Sequence, residues 1–362
     1  MAAGHSVDPV LWQRMIDELM GRIAGRFARV EPRRRARAFV LGLLTDLPRK
    51  NCWSIAEHAG DATPDGMQHL LAGARWDADG VRDDLRGYVA GHLGDAAAVL
   101  VVDETGDLKK GRCTAGVQRQ YTGTAGRIEN CQVAVYLTYA APGGHALIDR
   151  ELYLPRSWTG DPARCAAAGI PEGTMFATKP KLARRVIARA LDAGIPASWV
   201  AGDEVYGGDP GLRADLETRQ MGYVLAVAKS HRLNAGPGAC RADQLAARLP
   251  RSAWQQYSAG NGAKGHRYYD WAFIGVEPRS SGTAGCWSAA TGGPGSLPST
   301  GATHPATFPS QSSPGSPAAG GPGRRTSKVA RAWPAWMSTR SADGIPGTDG
   351  PLWPCWPARS SP

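Results

Sequence analysis

Two short stretches place acids where a buried strand opens onto solvent. In AAVLVVDETGDLKKG (97–111) an apolar run ends at Asp103 and Glu104, and a Gly-containing basic turn follows. In SWVAGDEVYGG (198–208) a second apolar run ends at Asp203 and Glu204. Carboxylates at the ends of neighbouring strands suit a hard divalent cation. Mg2+ takes oxygen ligands, and two ions about 4 Å apart can activate water and stabilise a leaving oxygen in phosphoryl transfer. Alternation along a strand points Glu104 and Glu204 away from the aspartates. Other chemistries lack their residues. The eight histidines are dispersed without an HxxxH pair, and neither a GxxxxGK[ST] loop nor a GxSxG elbow occurs. The seven cysteines form no CxxC pair, which argues against a zinc site and against a disulfide framework.

The surrounding pattern supplies elements to hold these acids. Residues 1–95 read as a helical N-terminal domain with a DNA-binding role. Leu11, Met15, Leu19 and Ile23 recur four apart, which predicts one buried face of a first helix. A second helix opens with Arg33, Arg34, Arg35 and Arg37, candidates for phosphate contact. SIAEHAGDATPDGMQHLLAGARW then predicts helix, turn and helix, a helix-turn-helix outline also common in ordinary bundles. From residue 96 the pattern turns to strands: AVLVVDE, NCQVAVYLTYA and HALIDRELYLP, the last two joined at Pro142–Gly144. Helix, strand, helix and strand follow, in KPKLARRVIARALDAGI, SWVAGDEVYGG, PGLRADLETRQ and MGYVLAVAKSHR. That order predicts an α/β (α+β) class with a mixed sheet flanked by helices.

A net charge of +10 and a pI near 9.4 favour a polyanionic partner, nucleic acid first. The sequence contains no 18-residue apolar run and no leader-like apolar segment at its start, so a cytoplasmic, nucleoid-associated protein with no membrane partner is expected.

The motifs VVDETGDLKKG, GVQRQYTGTAGRIENCQVAVYL, WVAGDEVYG and GYVLAVAKSHR together resemble the DDE-type transposases of bacterial insertion sequences, nearest the insertion-sequence family numbered seven hundred and one. The resemblance covers roughly residues 10–278. It implies an RNase H-like catalytic core over 96–278 in which three acids bind two Mg2+ or Mn2+ ions, cut the element's ends and join the 3′ hydroxyl to target DNA. Asp103 matches the first acid and Asp203 the second, as catalytic and metal-binding residues. The resemblance also implies a homodimer acting on paired ends. Arg119 and Arg127 lie in the segment between the first two strands and could line a DNA groove. Lys229 follows the last sheet strand, and Lys264 and Arg267 lie in a Gly-rich loop, so all three are candidates for the DNA backbone.

The third acid of the resemblance, a Glu on a later helix, is missing. No glutamate follows Glu277, and Asp343 and Asp349 sit in turn-like text. Residues 279–362 hold 13 Pro, 13 Gly and 14 Ser, nearly half the segment, so a disordered low-complexity tail is expected. Five tryptophans in it are out of keeping with that composition. A one-base shift of reading frame near Arg279 accounts for both anomalies. Single-codon residues force some steps: Trp333-Pro334 gives Ala and Trp336-Met337 gives Asp in the shifted frame. The shifted text allows a Glu-bearing amphipathic helix, its Glu encoded across the codons of Arg324 and Arg325. The readings therefore are a DDE transposase lacking its third acid, a catalytically inactive DNA-binding fragment that competes with intact enzyme, or a repair nuclease of RNase H-like fold.

Overall fold

The computed structural model describes residues 8–234, 238–262, 265–276, 284–291 and 300–305. Five helices come first: α1 (Pro9–Arg22), α2 (Val30–Leu44), α3 (Cys52–His58), α4 (Asp65–Ala72) and α5 (Ala78–Leu93). Caps start several of them. Asp8, Asn51 and Asp77 each turn a side-chain oxygen onto a backbone N–H of the first turn, satisfying donors that a helix start leaves without partners. Helices α2, α3 and α4 enclose a small core of Phe39, Ile55, Ala56, Met67 and Leu70.

The face expected to be buried on α1 packs only in part: Ile23 is buried and Leu19 half-buried. Leu11 and Met15 are 49% and 40% exposed, while Ile16, Met20 and Ile23 lie against Ala36, Leu41 and Val81. A four-residue spacing drifts about 40° around a helix at each step. Two overlapping apolar stripes therefore fit the same sequence, and packing against α2 and α5 selects the second.

The three expected strands follow as β1 (Val99–Leu108), which continues past the expected end at Asp103, β3 (Arg127–Ala141) and β4 (Gly144–Tyr153), and an additional strand, β2 (Gln118–Thr122), precedes β3. Short helices α6 (Arg156–Thr159) and α7 (Pro162–Ala167) lead to α8 (Lys179–Asp192), then β5 (Trp199–Gly202), α9 (Glu204–Gly207), α10 (Pro210–Thr218) and β6 (Gly222–Val227). A small ribbon β7 (Arg232–Asn234) and β8 (Ala239–Arg241), helix α11 (Ala242–Ala247) and strands β9 (Gln255–Gly262), β10 (Gly265–Val276), β11 (Ala284–Thr291) and β12 (Thr300–Pro305) complete the described chain. The main sheet runs β2-β3-β1-β5-β6-β12-β11-β10-β9, with β4 also on β3. β1 is antiparallel to β3 and parallel to β5, and β5 is parallel to β6. This is the mixed sheet with flanking helices of the RNase H-like expectation. Two strands, β11 and β12, occupy part of the text in which no strand period is legible; backbone pairing does not require one. Residues 306–362, most of the expected tail, lie outside the described residues.

Residues Val99–Val102 are buried in succession, as a central strand covered on both faces requires. Even positions, Leu100 and Val102, join a core with Leu137, Val186, Val200 and Leu225, whereas Val99, Val101 and Ala201 cluster on the opposite face. Helix α8 covers the first face. Thr178 caps it at Lys181, and Leu182, Ala183, Val186, Ile187 and Ala190 form its buried stripe. Val89, Ala90 and Leu93 of α5 pack on that same core, so the last N-terminal helix is tied to the sheet.

An ion network completes the tie. The fully buried carboxylate of Asp149 on β4 accepts two bonds of 2.8 Å from Arg189 of α8, and Arg86 and Arg82 of α5 stand 3.4 and 3.6 Å away. Burial pushes the Arg189 guanidinium down, but the hydrogen bonds and negative charge of Asp149 and Glu151 outweigh it and hold the group above its ordinary pKa. Removing the shared anion leaves three guanidinium groups facing one another, so Asp149→Ala is expected to lower stability by about 3–5 kcal/mol, measured by urea unfolding. A second tie is pH-dependent. Arg26 binds Asp84 at 2.7 and 2.8 Å and so holds that carboxyl below its ordinary range. A depressed carboxyl stabilises above its unfolded pKa of about 4 and loses that contribution as pH falls through its lower folded value. Asp84→Asn should therefore lower Tm at pH 7 and make little difference near pH 2, as thermal melts across that range can check.

Candidate metal centre

The pairing of β1 with β5 decides where the two aspartates stand. Val102 is in register with Gly202, so Asp103 and Asp203 are the next residues on two neighbouring parallel strands, a lateral spacing of about 4.8 Å. Asp103 shares strand parity with Val99 and Val101, and Asp203, its backbone still extended, continues the parity of Ala201. Both carboxylates therefore rise from the face opposite α8. Asp203 is 8% exposed. Gly202 permits the close approach: a Cβ there would lie 3.0 Å from Val102 Cγ1 and 3.1 Å from Leu225 Cδ2.

Each aspartate is steadied by the chain that follows it. Asp103 Oδ1 accepts from the Glu104 N–H at 2.8 Å, and Asp203 Oδ1 accepts from the Val205 N–H at 2.9 Å. Asp203 is thereby the N-cap of the single-turn helix α9. That turn is locked onto β6, because a Cβ on Gly207 would meet the Ala226 carbonyl oxygen at 1.8 Å.

Glu104 points to the other face, as alternation requires, and there it has a definite environment. Its carboxylate accepts from the Tyr206 hydroxyl at 2.6 Å and from Lys179 Nζ at 3.0 Å. Tyr206 is fully buried. Burial above all, with the negative charge of Glu104, Asp103 and Asp203, holds its phenol far above the ordinary tyrosine pKa, so it remains a donor. Sequence reasoning passed over Tyr206 and Lys179. The one signal was a tyrosine three residues after a strand-end acid, the spacing of one helical turn. Glu204, by contrast, is exposed on the first residue of α9.

The donor set is all oxygen, which fits Mg2+ or Mn2+, and Mg2+ is commonly held by one or two carboxylates with water and substrate phosphate completing its shell. Among the described residues, no group of three or more His, Cys, Asp or Glu side chains could hold a metal. Asp343 and Asp349 lie outside the described residues.

The candidate DNA contacts are dispersed. Arg33 and Arg34 are exposed on α2, whereas Arg37 is engaged by Asp17 at 2.7 Å and Arg35 lies over Gly66 of α4. Along the β2–β3 hairpin, Arg119 pairs with Asn130 and Tyr121 with Ile128, positions that share the face of Asp103 through the register of β3. Tyr121 and Ile128 are 63% and 57% exposed. Arg127 falls on the opposite face and is bound to Glu129 at 2.8 Å. The one-residue alternation separates two arginines that the sequence placed in one groove. Lys229 is exposed after β6, Arg267 is on β10, and Lys264 lies outside the described residues. No helix among the described residues is long and apolar enough to cross a membrane.

Comparison with known proteins now has a geometry to meet. A family model described as a DDE superfamily endonuclease matches residues 22–257, which include both aspartates. A probable transposase for insertion sequence element IS701 of Microchaete diplosiphon is 29% identical over 192 residues, 53% of this chain and 48% of that protein. The chain thus spans about half the length of the curated relative it matches. With that match covering more than half of its length, the chain belongs to the DDE superfamily endonucleases.

Proposed function

We propose that this chain is the DNA-binding and partial catalytic portion of an insertion-sequence transposase, with Asp103 and Asp203 as its catalytic metal ligands and its third acid lacking. The observation that carries the reading is the register of β1 with β5, which sets two carboxylates side by side on one sheet face. Members of the family bind DNA and use divalent metal ions. When bound, such an ion activates water or a 3′ hydroxyl toward phosphorus and neutralises charge on the leaving oxygen. Asp103 and Asp203 would hold and orient it, each with one oxygen already fixed by a backbone N–H. Arg33, Arg34, Arg119 and Lys229, exposed and cationic, would engage phosphates on the DNA, with Arg267 contributing from β10. The protein would act in the cytoplasm on the nucleoid, as a homodimer on paired element ends.

A second reading, an inactive DNA-binding product that competes with intact enzyme, is favoured by the absence of a three-ligand group among the described residues. The two readings separate on chemistry. The full chain is expected to bind Mn2+ in isothermal titration, and Asp103→Asn or Asp203→Asn to weaken that binding by at least about tenfold. Asparagine still serves as an N-cap acceptor, so Asp203→Asn spares α9. The chain should bind duplexes carrying the element's terminal repeats, more weakly as salt rises, while strand transfer with Mn2+ is weak or absent. Full strand-transfer activity would refute the missing-ligand reading, and an inability to bind Mn2+ would refute the metal centre.

We further propose that the text after about Arg279 is translated one base out of frame. Glu277 is the last glutamate of the chain, and the Trp and Met codons force acceptable residues in the shifted frame. Determination of the nucleotide sequence across codons 275–330 is expected to reveal a one-base change that restores an open frame through a Glu-bearing helix. An intact open alternative frame must exist there; stop codons throughout it rule the idea out.

A further inference from the structure

Glu104 sits between the two aspartates without joining them. Its N–H holds the Asp103 carboxylate at 2.8 Å, and its own carboxylate reaches through the sheet edge to the Tyr206 hydroxyl at 2.6 Å. Tyr206 belongs to the turn that Asp203 caps, and its N–H donates to the Asp203 carbonyl oxygen at 3.1 Å. The path Asp103–Glu104···Tyr206–α9–Asp203 therefore closes a ring around the two acids, with a single side-chain hydrogen bond as its only non-backbone link across the strands. Lys179, at the first turn of α8, anchors the same glutamate at 3.0 Å. One carboxylate thus ties β1, α8 and α9 together.

We infer that Glu104 and Tyr206 are positioning residues that set the separation of the Asp103 and Asp203 carboxylates, and that Lys179 holds Glu104 in place for that task. This rests on the proposed metal reading. The need is geometric: a cation accepts its oxygens only within a few tenths of an ångström of their proper distances. The sheet supplies a strand spacing, but neither acid lies within the β1–β5 ladder, which ends at Val102 and Gly202. Beyond that ladder the Glu104–Tyr206 bond links the two segments. Tyr206 is suited to it because its ring is fully buried and its hydroxyl donates to Glu104 at 2.6 Å. Lys179 balances the third negative charge so that Glu104 need not compete for the cation.

The test uses the full chain and Mn2+ as probe, with affinity from isothermal titration and the Mn2+-induced rise in Tm as a second readout. Tyr206→Phe removes one hydroxyl from a filled site and is expected to weaken Mn2+ binding about tenfold, the lower end of the effect of losing a group that orients a metal ligand. Its Mn2+-induced rise in Tm should shrink accordingly. Glu104→Gln keeps an acceptor for Tyr206 and should retain most of the affinity, whereas Glu104→Ala should behave like Tyr206→Phe. Should Tyr206→Phe not fold, Lys179→Met loosens the same carboxylate from the protein surface and is expected to act in the same direction. If the unaltered chain binds Mn2+ and Tyr206→Phe or Lys179→Met binds it equally well, the positioning role is wrong and the metal centre stands. If Tm falls but Mn2+ affinity does not, the contact is structural only, and the inference is again overturned. Failure of the unaltered chain to bind Mn2+ overturns the metal reading itself.

Discussion

The parallel pairing of β1 with β5 is the constraint from which the rest of the candidate site follows. Two aspartates a hundred residues apart become neighbours because Val102 lies opposite Gly202 and each aspartate is the next residue, Asp103 within β1 and Asp203 just past the end of β5. A register shift of one residue would send one carboxylate to the opposite face. Gly202 helps to hold the register, since the space its side chain would take is filled by Val102 and Leu225. The continuous burial of Val99–Val102 then makes any displacement of β1 expensive in exposed apolar area.

Around that pairing the protein distributes charge by burial. On the α8 side, carboxylates are buried only with cations or phenols attached: Glu104 with Lys179 and Tyr206, and Asp149 with Arg189, Arg86 and Arg82. Lone buried charge is costly, so these sites are neutralised within the protein. Asp103 and Asp203 each accept a backbone N–H that orients the carboxylate.

The helical segment is more than an appendage. Helix α5 packs Val89, Ala90 and Leu93 on the sheet core and lends Arg82 and Arg86 to Asp149. Part of the arginine cluster on α2 is already engaged, Arg37 with Asp17 and Arg35 over α4. Only Arg33 and Arg34 keep the exposure that phosphate contact requires.

Local pattern was enough to place β1, β3, β4, α8, β5 and β6, because apolar runs, period-two alternation and glycine or proline breaks act within a few residues. It was also enough to nominate Asp103 and Asp203, each at the end of an apolar run, although β1 continues past Asp103 to Leu108 and only Asp203 follows a strand end. The buried side of α1 was only partly legible, since two stripes satisfied the same periodicity and only α2 and α5 could choose between them. The separation of Arg119 from Arg127 depended on the register of a hairpin, and β11 and β12 paired through backbone groups that carry no sequence period. The partnership of Glu104 with Tyr206 and Lys179 joins positions up to 102 residues apart. The sequence by itself determined which acids could meet a metal; tertiary structure decided that they stand side by side and what holds them there, because long-range register is set by packing across strands rather than by any neighbour in the chain.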